Sequence, residues 1–304
     1  MMTLSTISAA AILALTTGFG QAVALAAPPP DPNVPVAIPD GPLVDAALWV
    51  DNRVVAPGQV LWVAVSFEIK DDWHIYWPGL NDTGMPPIFD WHLPEGWKVG
   101  APRWPAPVIH ETEGGLIDHV LEGTALVLFP IKVPEAVYAG QAVTISCDLE
   151  WLVCRVACVP ESQRVQFSFA VASAREPWPV KDFNGSAVID MARKALPEPL
   201  PETGGPVTAA LDGADLVISA PDGAAVSFYP TETSREPVAG AASRLEQTGP
   251  TVRIALDPAS ETPVEGLIVI ETKDAPRRIF SFRIPKQTDE QRDGFALPKK
   301  TESP

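Results

Sequence analysis

The feature of this sequence that most constrains its fold is a repeated alternation of apolar and polar residues. Every second residue is a large apolar one over 61–69, and 165–171 repeats the pattern, which is typical of β-strands with one buried face. The segments 125–129 and 142–153 are more continuously apolar, as expected of strands that are buried on both faces. The chain also holds 34 prolines and 21 glycines, which divide it into short segments. We therefore predict an all-β fold built from sandwiches.

A change in composition divides the chain into two predicted domains. Residues 27–175 form the first, and they include every histidine and cysteine. A proline-rich linker is predicted over 176–206, with one helix at about 182–195. Five further short strands predict a second, smaller β-sandwich over 207–286, and a polar tail follows over 287–304. Because the second domain has few reactive side chains, we expect it to serve as a scaffold or a docking unit.

The N-terminus has the pattern of an export signal. Residues 7–16 form a short apolar run, and Ala24-Leu25-Ala26 is a small-residue site of the kind that signal peptidase cleaves. We predict a signal peptide over 1–26, so that the mature chain begins at Ala27. Beyond it, no segment reaches the roughly 18 apolar residues that a membrane-spanning helix needs. A soluble, exported protein is therefore expected.

The charge balance argues against two classes of partner. The formal net charge is −16 at pH 7, and the lysines and arginines form no cluster. Nucleic acids and anionic membranes bind proteins through clustered basic side chains. We therefore predict no nucleic-acid partner, and the acidity is expected to favour solubility.

Two cysteines, Cys154 and Cys158, follow directly after a strand that is predicted to be buried. In a continuing strand their Cα atoms would be about 13 Å apart, whereas a disulfide needs roughly 4.4–6.8 Å. The pair can therefore bridge only if the chain turns between them, and Pro160 favours a turn because proline cannot continue a central strand. The bridge would close a small loop and add little stability, while Arg155 could lower a thiol pKa. A structural disulfide and a redox disulfide both remain open on these residues alone.

The third cysteine, Cys147, is predicted to be free. It shares a strand face with Leu149, Trp151 and Val153, on the side opposite to Cys154. A buried free cysteine behaves as a small apolar residue. We therefore expect Cys147 to belong to the core.

Other kinds of chemistry have less support in the sequence. The four histidines could bind copper or zinc together with the cysteines, but their spacing matches no compact ligand motif. The sequence contains no Gly-x-Ser-x-Gly motif and no phosphate-binding loop, and we predict no cofactor. Two rival functions stay open: an exported copper-binding or metal-binding module, and a noncatalytic β-sandwich interaction protein with a structural disulfide. The four histidines are His74, His92, His110 and His119.

An ordered series of short motifs lies between Trp49 and Ala172. The motifs are Trp73-His74-Ile75-Tyr76-Trp77, Asn81-Asp82-Thr83-Gly84-Met85-Pro86, Trp104-Pro105-Ala106-Pro107, Gly114-Gly115-Leu116, Glu122-Gly123 and Trp151-Leu152-Val153-Cys154 with Cys158. The series is similar to the periplasmic N-terminal domain of the thiol:disulfide interchange protein DsbD family, and within it to the ScsB-like branch, whose cysteine spacing it matches.

The resemblance implies a fold, a location and an activity. The first domain would be an immunoglobulin-like sandwich in the periplasm, with Cys154 and Cys158 as the redox pair and Cys158 forming the mixed disulfide. Electrons would pass from a membrane-embedded DsbD-like or CcdA-like thiol carrier to periplasmic thioredoxin-like proteins. Because the sequence shows no membrane domain, the carrier is expected to be a separate protein. We therefore predict a thiol:disulfide oxidoreductase.

Four further side chains are predicted to support the cysteine pair. Tyr76 and Trp77 are expected to border the pair and shield it from nonspecific oxidants. Trp151 and Arg155 lie close to the cysteines in the sequence.

Overall fold

The structure is a computed structural model, and every residue that it describes belongs to one compact unit, 38–304. The predicted signal peptide and polar tail lie outside the described residues. The structure describes residues 41–285 except 113, 138–139, 173–179, 202–203, 239–245, 249–250, 261 and 274.

The first part of the described chain is a β-sandwich. One sheet has the strand order β1-β3-β9-β6, and the other has the order β12-β2-β11-β10-β4-β8-β7, with β5 also paired to β10. The strands are β1 (Val44–Val50), β2 (Asn52–Val55), β3 (Val60–Ile69), β4 (His74–Tyr76), β5 (Ile88–His92), β6 (Lys98–Val99), β7 (Val108–Glu111), β8 (Ile117–Leu121), β9 (Thr124–Lys132), β10 (Ala142–Cys154), β11 (Cys158–Val171) and β12 (Val180–Lys181).

The core of this sandwich lies between its two sheets. The alternating apolar residues of 61–69 are all buried there, as predicted from their period of two. Phe67 of β3 meets Trp151 of β10 across the interface, with ring centroids 5.5 Å apart. The immunoglobulin-like sandwich predicted for the first domain is confirmed.

Among the described residues, the one helix is α1 (Phe183–Lys194), and its position was predicted. The Asp182 side chain caps it by accepting a hydrogen bond from the Gly185 amide at 2.8 Å. Its Ile189 and Ala192 are buried against Leu128 on the outer face of the β3–β9 sheet. No helix in the described part of the chain has the length and apolarity needed to cross a bilayer.

The second, smaller part is also β-structure, which confirms the predicted fold class. It has a five-stranded sheet of order β13-β20-β19-β16-β17 and a three-stranded sheet of order β14-β15-β18. Phe228 and Phe280 are fully buried in its core. The strands are β13 (Glu198–Pro199), β14 (Thr208–Asp212), β15 (Asp215–Ser219), β16 (Ala225–Pro230), β17 (Glu246–Thr248), β18 (Thr251–Ala255), β19 (Val264–Thr272) and β20 (Ala275–Ile284).

The five strands predicted for this second part are present, and three short ones were missed. β13 and β17 are only 2 and 3 residues long. β14 contains two alanines and an aspartate, which have low strand propensity. These strands form because they pair with a neighbour, which a local pattern does not show.

The second sandwich packs against the first. Tyr229, Leu267 and Val269 are buried in the same apolar cluster as residues of the first core. The Leu80 amide donates a hydrogen bond to the Pro230 carbonyl at 3.2 Å, and Gly79 forms a β-bridge with Thr231. The domain bounds drawn from the sequence stay a prediction, but the contact shows that the second sandwich holds the segment at 79–80.

Candidate functional site

A disulfide joins the two predicted cysteines at the end of the β10–β11 hairpin. Cys154 is the last residue of β10 and Cys158 is the first of β11, and they face each other in the antiparallel register. Their Cα atoms are 4.1 Å apart and their sulfurs are bonded. Residues 155–157 form the turn, so the turn that a bridge requires is confirmed. The expectation that Pro160 ends the strand is wrong, because Pro160 lies within β11 and pairs with Leu152.

The two sulfurs belong to residues with unequal exposure. Cys154 is only 4% exposed, whereas Cys158 is exposed, as are the three turn residues before it. Thiol exchange requires that the attacking sulfur reach one disulfide sulfur along the bond axis, so access matters. The exposed cysteine is therefore the one that a partner can reach from solvent.

The Tyr76 hydroxyl lies directly against the disulfide. Its Oη is 3.3 Å from Cys154 Sγ and 3.5 Å from Cys158 Sγ. Strand β4 places it there, because His74 and Ile75 pair with Cys154 and Val153 at the end of β10. Tyr76 is 1% exposed, and burial raises the pKa of its hydroxyl, which therefore stays protonated and able to donate.

Behind Tyr76 lie a threonine and a buried carboxylate. Thr83 Oγ1 is 3.0 Å from Tyr76 Oη, and the same hydroxyl donates to Asp118 Oδ2 at 2.5 Å. The Thr83 amide donates to Asp118 Oδ1 at 3.0 Å. Asp118 lies on β8 and is 1% exposed. Four side chains thus form one hydrogen-bonded series that ends at the disulfide.

The segment that carries Thr83 is fixed by its neighbours. The Asn81 side-chain oxygen Oδ1 accepts a hydrogen bond from the His119 amide at 2.7 Å, and Asp82 Oδ2 accepts one from the Ile117 amide at 2.7 Å. Side-chain acceptors of this kind hold a loop without a regular ladder. Residues 81–83 therefore lie along β8 in a defined register.

Two histidines near the site are buried and neutral. His74 pairs with Cys154 across the strands, and its ring lies 4.7 Å from that of His110. Burial lowers the pKa of His74 to about 4. Burial likewise lowers the pKa of His119 to about 4, and its Nδ1 lies 3.0 Å from the Leu80 carbonyl oxygen.

The other three predicted supporting residues contact groups other than the sulfurs. Arg155 is in the exposed turn and its guanidinium lies over the Trp73 ring, 5.1 Å from its centroid. Trp151 packs in the core and donates to Glu161 at 3.3 Å. Trp77 lies in the same core. Of the four predicted supports, Tyr76 is the one for which the structure shows a sulfur contact.

Sequence reasoning missed Thr83 and Asp118 as members of the site. Thr83 was noticed only as part of a family-like motif. Asp118 lies in strand β8, which is apolar except for Asp118 and His119, and a lone carboxylate in such a strand is a signal that could have been used, because burying it is costly. No spacing rule joins residues 76, 83, 118 and 154, since tertiary folding alone brings them together.

Cys147 is free and buried, as predicted. Burial raises the pKa of its thiol to about 12, with a smaller contribution from the Asp148 charge. A thiol with such a pKa has almost no thiolate at neutral pH and is a poor nucleophile. The structure therefore separates this cysteine from the disulfide-bonded pair.

One histidine, His92, lies close to two carboxylates and could in principle bind a metal ion with them. In the described part of the chain, the candidate metal-ligand group is Asp90, His92 and Asp148, with their ligand atoms within 4.8 Å of one another. Arg164 donates to both oxygens of Asp148 and holds the pKa of that carboxyl below its usual range. The Arg164 guanidinium already pairs with this carboxylate. The group is therefore best described as an exposed set of ion pairs across β5, β10 and β11.

The structure thus defines the class of domain: an immunoglobulin-like β-sandwich with a disulfide at an exposed hairpin end and a hydroxyl against its sulfurs. Residues 45–170 match the family model described as the N-terminal region of the thiol:disulfide interchange protein DsbD. This part of the chain is a DsbD N-terminal-like domain, and the recognition made from the sequence is confirmed. Among curated proteins, none matches the chain in sequence.

Two solved structures are similar to this chain to different degrees. The N-terminal periplasmic domain of ScsB from Proteus mirabilis is 12% identical, with a TM-score of 0.53, and the match covers 83% of this chain and 97% of that one. The N-terminal domain of Neisseria meningitidis DsbD, in the reduced form, is 18% identical with a TM-score of 0.25, covering 41% of this chain and 86% of that one. The first of these shows a shared fold over a larger part of the chain than residues 45–170.

Proposed function

We propose that this protein is exported to the periplasm and relays electrons by thiol–disulfide exchange through Cys154 and Cys158. The observation that carries the proposal is the asymmetry of the disulfide. Cys158 is exposed, whereas Cys154 is 4% exposed and has the Tyr76 hydroxyl 3.3 Å from its sulfur. One sulfur is open to attack, and the other has a hydrogen-bond donor that stabilises it as a leaving group.

The exchange balances as a transfer of two electrons. A thiolate of a reduced partner attacks Cys158 Sγ, the Cys154–Cys158 bond breaks, and its electron pair leaves on Cys154 as a thiolate. The partner's second thiol, as its thiolate, then attacks the partner sulfur of the mixed disulfide and releases Cys158. The partner ends as a disulfide and this chain as a dithiol.

A purely structural role for the bridge has weaker support. The bridge encloses a turn between residues 4 positions apart, and cross-linking so short a loop removes little entropy from the unfolded chain. The β10–β11 ladder extends from Cys154 and Cys158 to Ala142 and Ala170 without a break. The hairpin therefore has its own pairing and does not depend on the disulfide.

The partners that fit this site are dithiol proteins. We propose a membrane-embedded DsbD-like or CcdA-like carrier as the donor and a periplasmic thioredoxin-like protein as the acceptor. Beside the hairpin lies a groove of about 290 Å³ whose lining includes Met85, Ile88 and Leu152. Met85 is 59% exposed, Ile88 53% and Val156, in the turn, 70%. Exposed apolar side chains around a reactive disulfide give a partner a surface to bind.

The test is to trap the mixed disulfide with single-cysteine variants. Cys154→Ala leaves the exposed Cys158 without its resolving partner, so it should accumulate a covalent adduct with an oxidised thioredoxin-like protein. Cys158→Ala should give far less adduct, and Cys147→Ala, which keeps the pair, should give none that persists. Non-reducing electrophoresis and intact mass measure the adduct. If neither single variant of the pair forms one, the proposed function is wrong.

A further inference from the structure

Asp118 is a buried carboxylate that the exchange reaction as written above does not use. It is 1% exposed, and none of the ion pairs between described residues includes it. Burying a carboxylate away from any cation is costly unless its oxygens are hydrogen-bonded. Its two oxygens accept from the hydroxyl and the amide of Thr83. Both therefore face the residue that links Asp118 to Tyr76.

The donor directions along this series follow from the chemistry of each group. An ionised carboxylate only accepts, so the Thr83 hydroxyl must donate to Asp118 at 2.5 Å. When Cys154 is a thiol, Thr83 Oγ1 accepts from the Tyr76 hydroxyl at 3.0 Å, whereas against the disulfide or a Cys154 thiolate the single tyrosine proton is donated to Cys154 Sγ. Tyr76 Oη, 3.3 Å from Cys154 Sγ, is left to accept from Cys154 whenever that residue is a thiol. A reduced Cys154 therefore starts a continuous chain of donors that ends at a carboxylate.

We infer that Asp118 is the terminal proton acceptor for the Cys154 thiol, acting through Thr83 and Tyr76, and that this chain activates Cys154 to resolve mixed disulfides formed at Cys158. The inference rests on the proposed function, because it concerns the second half of the same exchange.

The step balances in protons and electrons. The Cys154 S–H proton moves to Tyr76 Oη, the tyrosine proton moves to Thr83 Oγ1, and the threonine proton moves to Asp118 Oδ2. One S–H bond breaks and one carboxyl O–H bond forms. The resulting Cys154 thiolate attacks Cys158 Sγ, reforms the disulfide and expels the partner's thiolate. In the opposite direction, the leaving Cys154 thiolate recovers its proton along the same path.

Electrostatics favours this arrangement over a solvent base. Cys154, Tyr76 and Asp118 are all buried, and burial opposes the creation of a new charge. A relay creates none, because the negative charge moves from Asp118 to Cys154 while the interior keeps the same net charge. Thr83 is exposed as a residue, and its hydroxyl joins the two buried groups.

Other titratable groups face the same region, and the variants used in the test leave all of them unchanged. His74 lies on β4 beside Tyr76, with ring centroids 5.6 Å apart, and His110 of β7 lies against His74. Asp82 precedes Thr83 and accepts from the β8 backbone. Arg155 lies in the hairpin turn. Among the described residues, none of these side chains has a hydrogen bond to the Tyr76 hydroxyl or to Cys154 Sγ.

The probe for the test is an aromatic disulfide, 5,5′-dithiobis(2-nitrobenzoate), added to the reduced protein. Attack by Cys158 releases one coloured thiolate, and resolution by Cys154 releases a second, so stopped-flow absorbance separates the two steps. The variants are Asp118→Asn, Thr83→Val and Thr83→Ser. The thermal midpoint of each is measured alongside, and Thr83→Val, at an exposed residue, keeps the test valid if Asp118→Asn does not fold.

We expect the second release to slow by at least about tenfold near pH 7 in Asp118→Asn and Thr83→Val. The loss should shrink as pH rises, since hydroxide can then remove the thiol proton. The first release should keep the parent rate, and Thr83→Ser should restore the second. Parent-like resolution between pH 6 and 8 in both blocking variants would overturn the relay. Absence of any first release, in parent and variants alike, would instead overturn the proposed function.

Discussion

The two sandwiches of this protein are both built from mostly antiparallel strands around an apolar core, but they differ in which polar and reactive side chains they contain. The first contains all the cysteines and histidines and places three polar side chains in one hydrogen-bonded series that ends at a disulfide. The second has a core of aliphatic and phenylalanine side chains. Its contact with the first includes Thr231 beside Gly79 and Tyr229 beside His119. Under the proposed function, a few polar residues at one end distinguish the redox sandwich from its neighbour.

The largest expected effect separates chemistry from stability in the first sandwich. Replacing both Cys154 and Cys158 by alanine should abolish electron transfer from a reduced thioredoxin-like donor to a disulfide acceptor. The thermal midpoint should change little, because so short a loop contributes little to stability. The comparison fails if the double variant unfolds at a much lower temperature, or if it transfers electrons as the parent does.

A substitution in the second sandwich should do the opposite, lowering stability without changing the rate of thiol exchange. Phe228 is fully buried there, and Phe228→Ala should cost about 3–5 kcal/mol of unfolding free energy because it leaves a cavity. Below the unfolding transition, attack by Cys158 should keep its rate, since the substitution touches no residue of the site. Urea titration and stopped-flow absorbance measure the two quantities. A slower attack in fully folded protein would show that the second sandwich shares in the chemistry.

Acid should weaken the first sandwich selectively. Burial lowers the pKa of His119 to about 4, against about 6.5 in the unfolded chain. Between these values the unfolded chain binds a proton that the folded chain excludes, so the unfolding free energy falls as pH falls from about 6.5 towards 4. His119 alone should contribute roughly 2–3 kcal/mol to this loss.

The check is urea unfolding followed by tryptophan fluorescence at pH 7 and pH 5. His119→Phe should flatten the dependence, whereas the exposed His92→Gln should keep it as a matched control. An unchanged slope in His119→Phe would mean that another group dominates the acid response.

The smallest effect is expected at Cys147. Cys147→Ala should retain the parent exchange rate, because the thiol is buried and its raised pKa leaves almost no thiolate. The unfolding free energy should fall by only about 1 kcal/mol, as is common for a conservative core substitution. A loss of exchange activity would place Cys147 in the redox cycle and remove the distinction between it and the pair.

The sequence was sufficient for the parts of this fold that repeat locally. The period of two over 61–69, the capped helix after Asp182 and the turn between Cys154 and Cys158 were each predicted, because the responsible interactions lie within a few residues. The predicted face of Cys147 followed from the same counting. Strand alternation and tight turns depend on residues that are close together in the chain, so a single sequence is enough to predict them.

The remainder of the site depends on pairings between distant segments. Asp118 meets Thr83, which is 35 positions away, and Tyr76 meets Cys154, which is 78 positions away. Trp77 and Trp151 adjoin site residues in sequence, yet they turn into the core, because side chains alternate across a strand. Proximity along the chain therefore predicted which residues were near the site but not which of them point towards the sulfurs.

Gly84, next to Thr83, sets the position of the tyrosine ring by having no side chain. A Cβ atom there would lie 2.1 Å from Tyr76 Cζ, and its φ angle is not among the positive ones. Glycine is therefore required for space and not for backbone freedom. In a saturation-mutagenesis library this position should tolerate no other residue, although it lies outside the bonded network. The fit between an aromatic face and a bare backbone thus makes the redox site sensitive to a residue with no chemistry of its own.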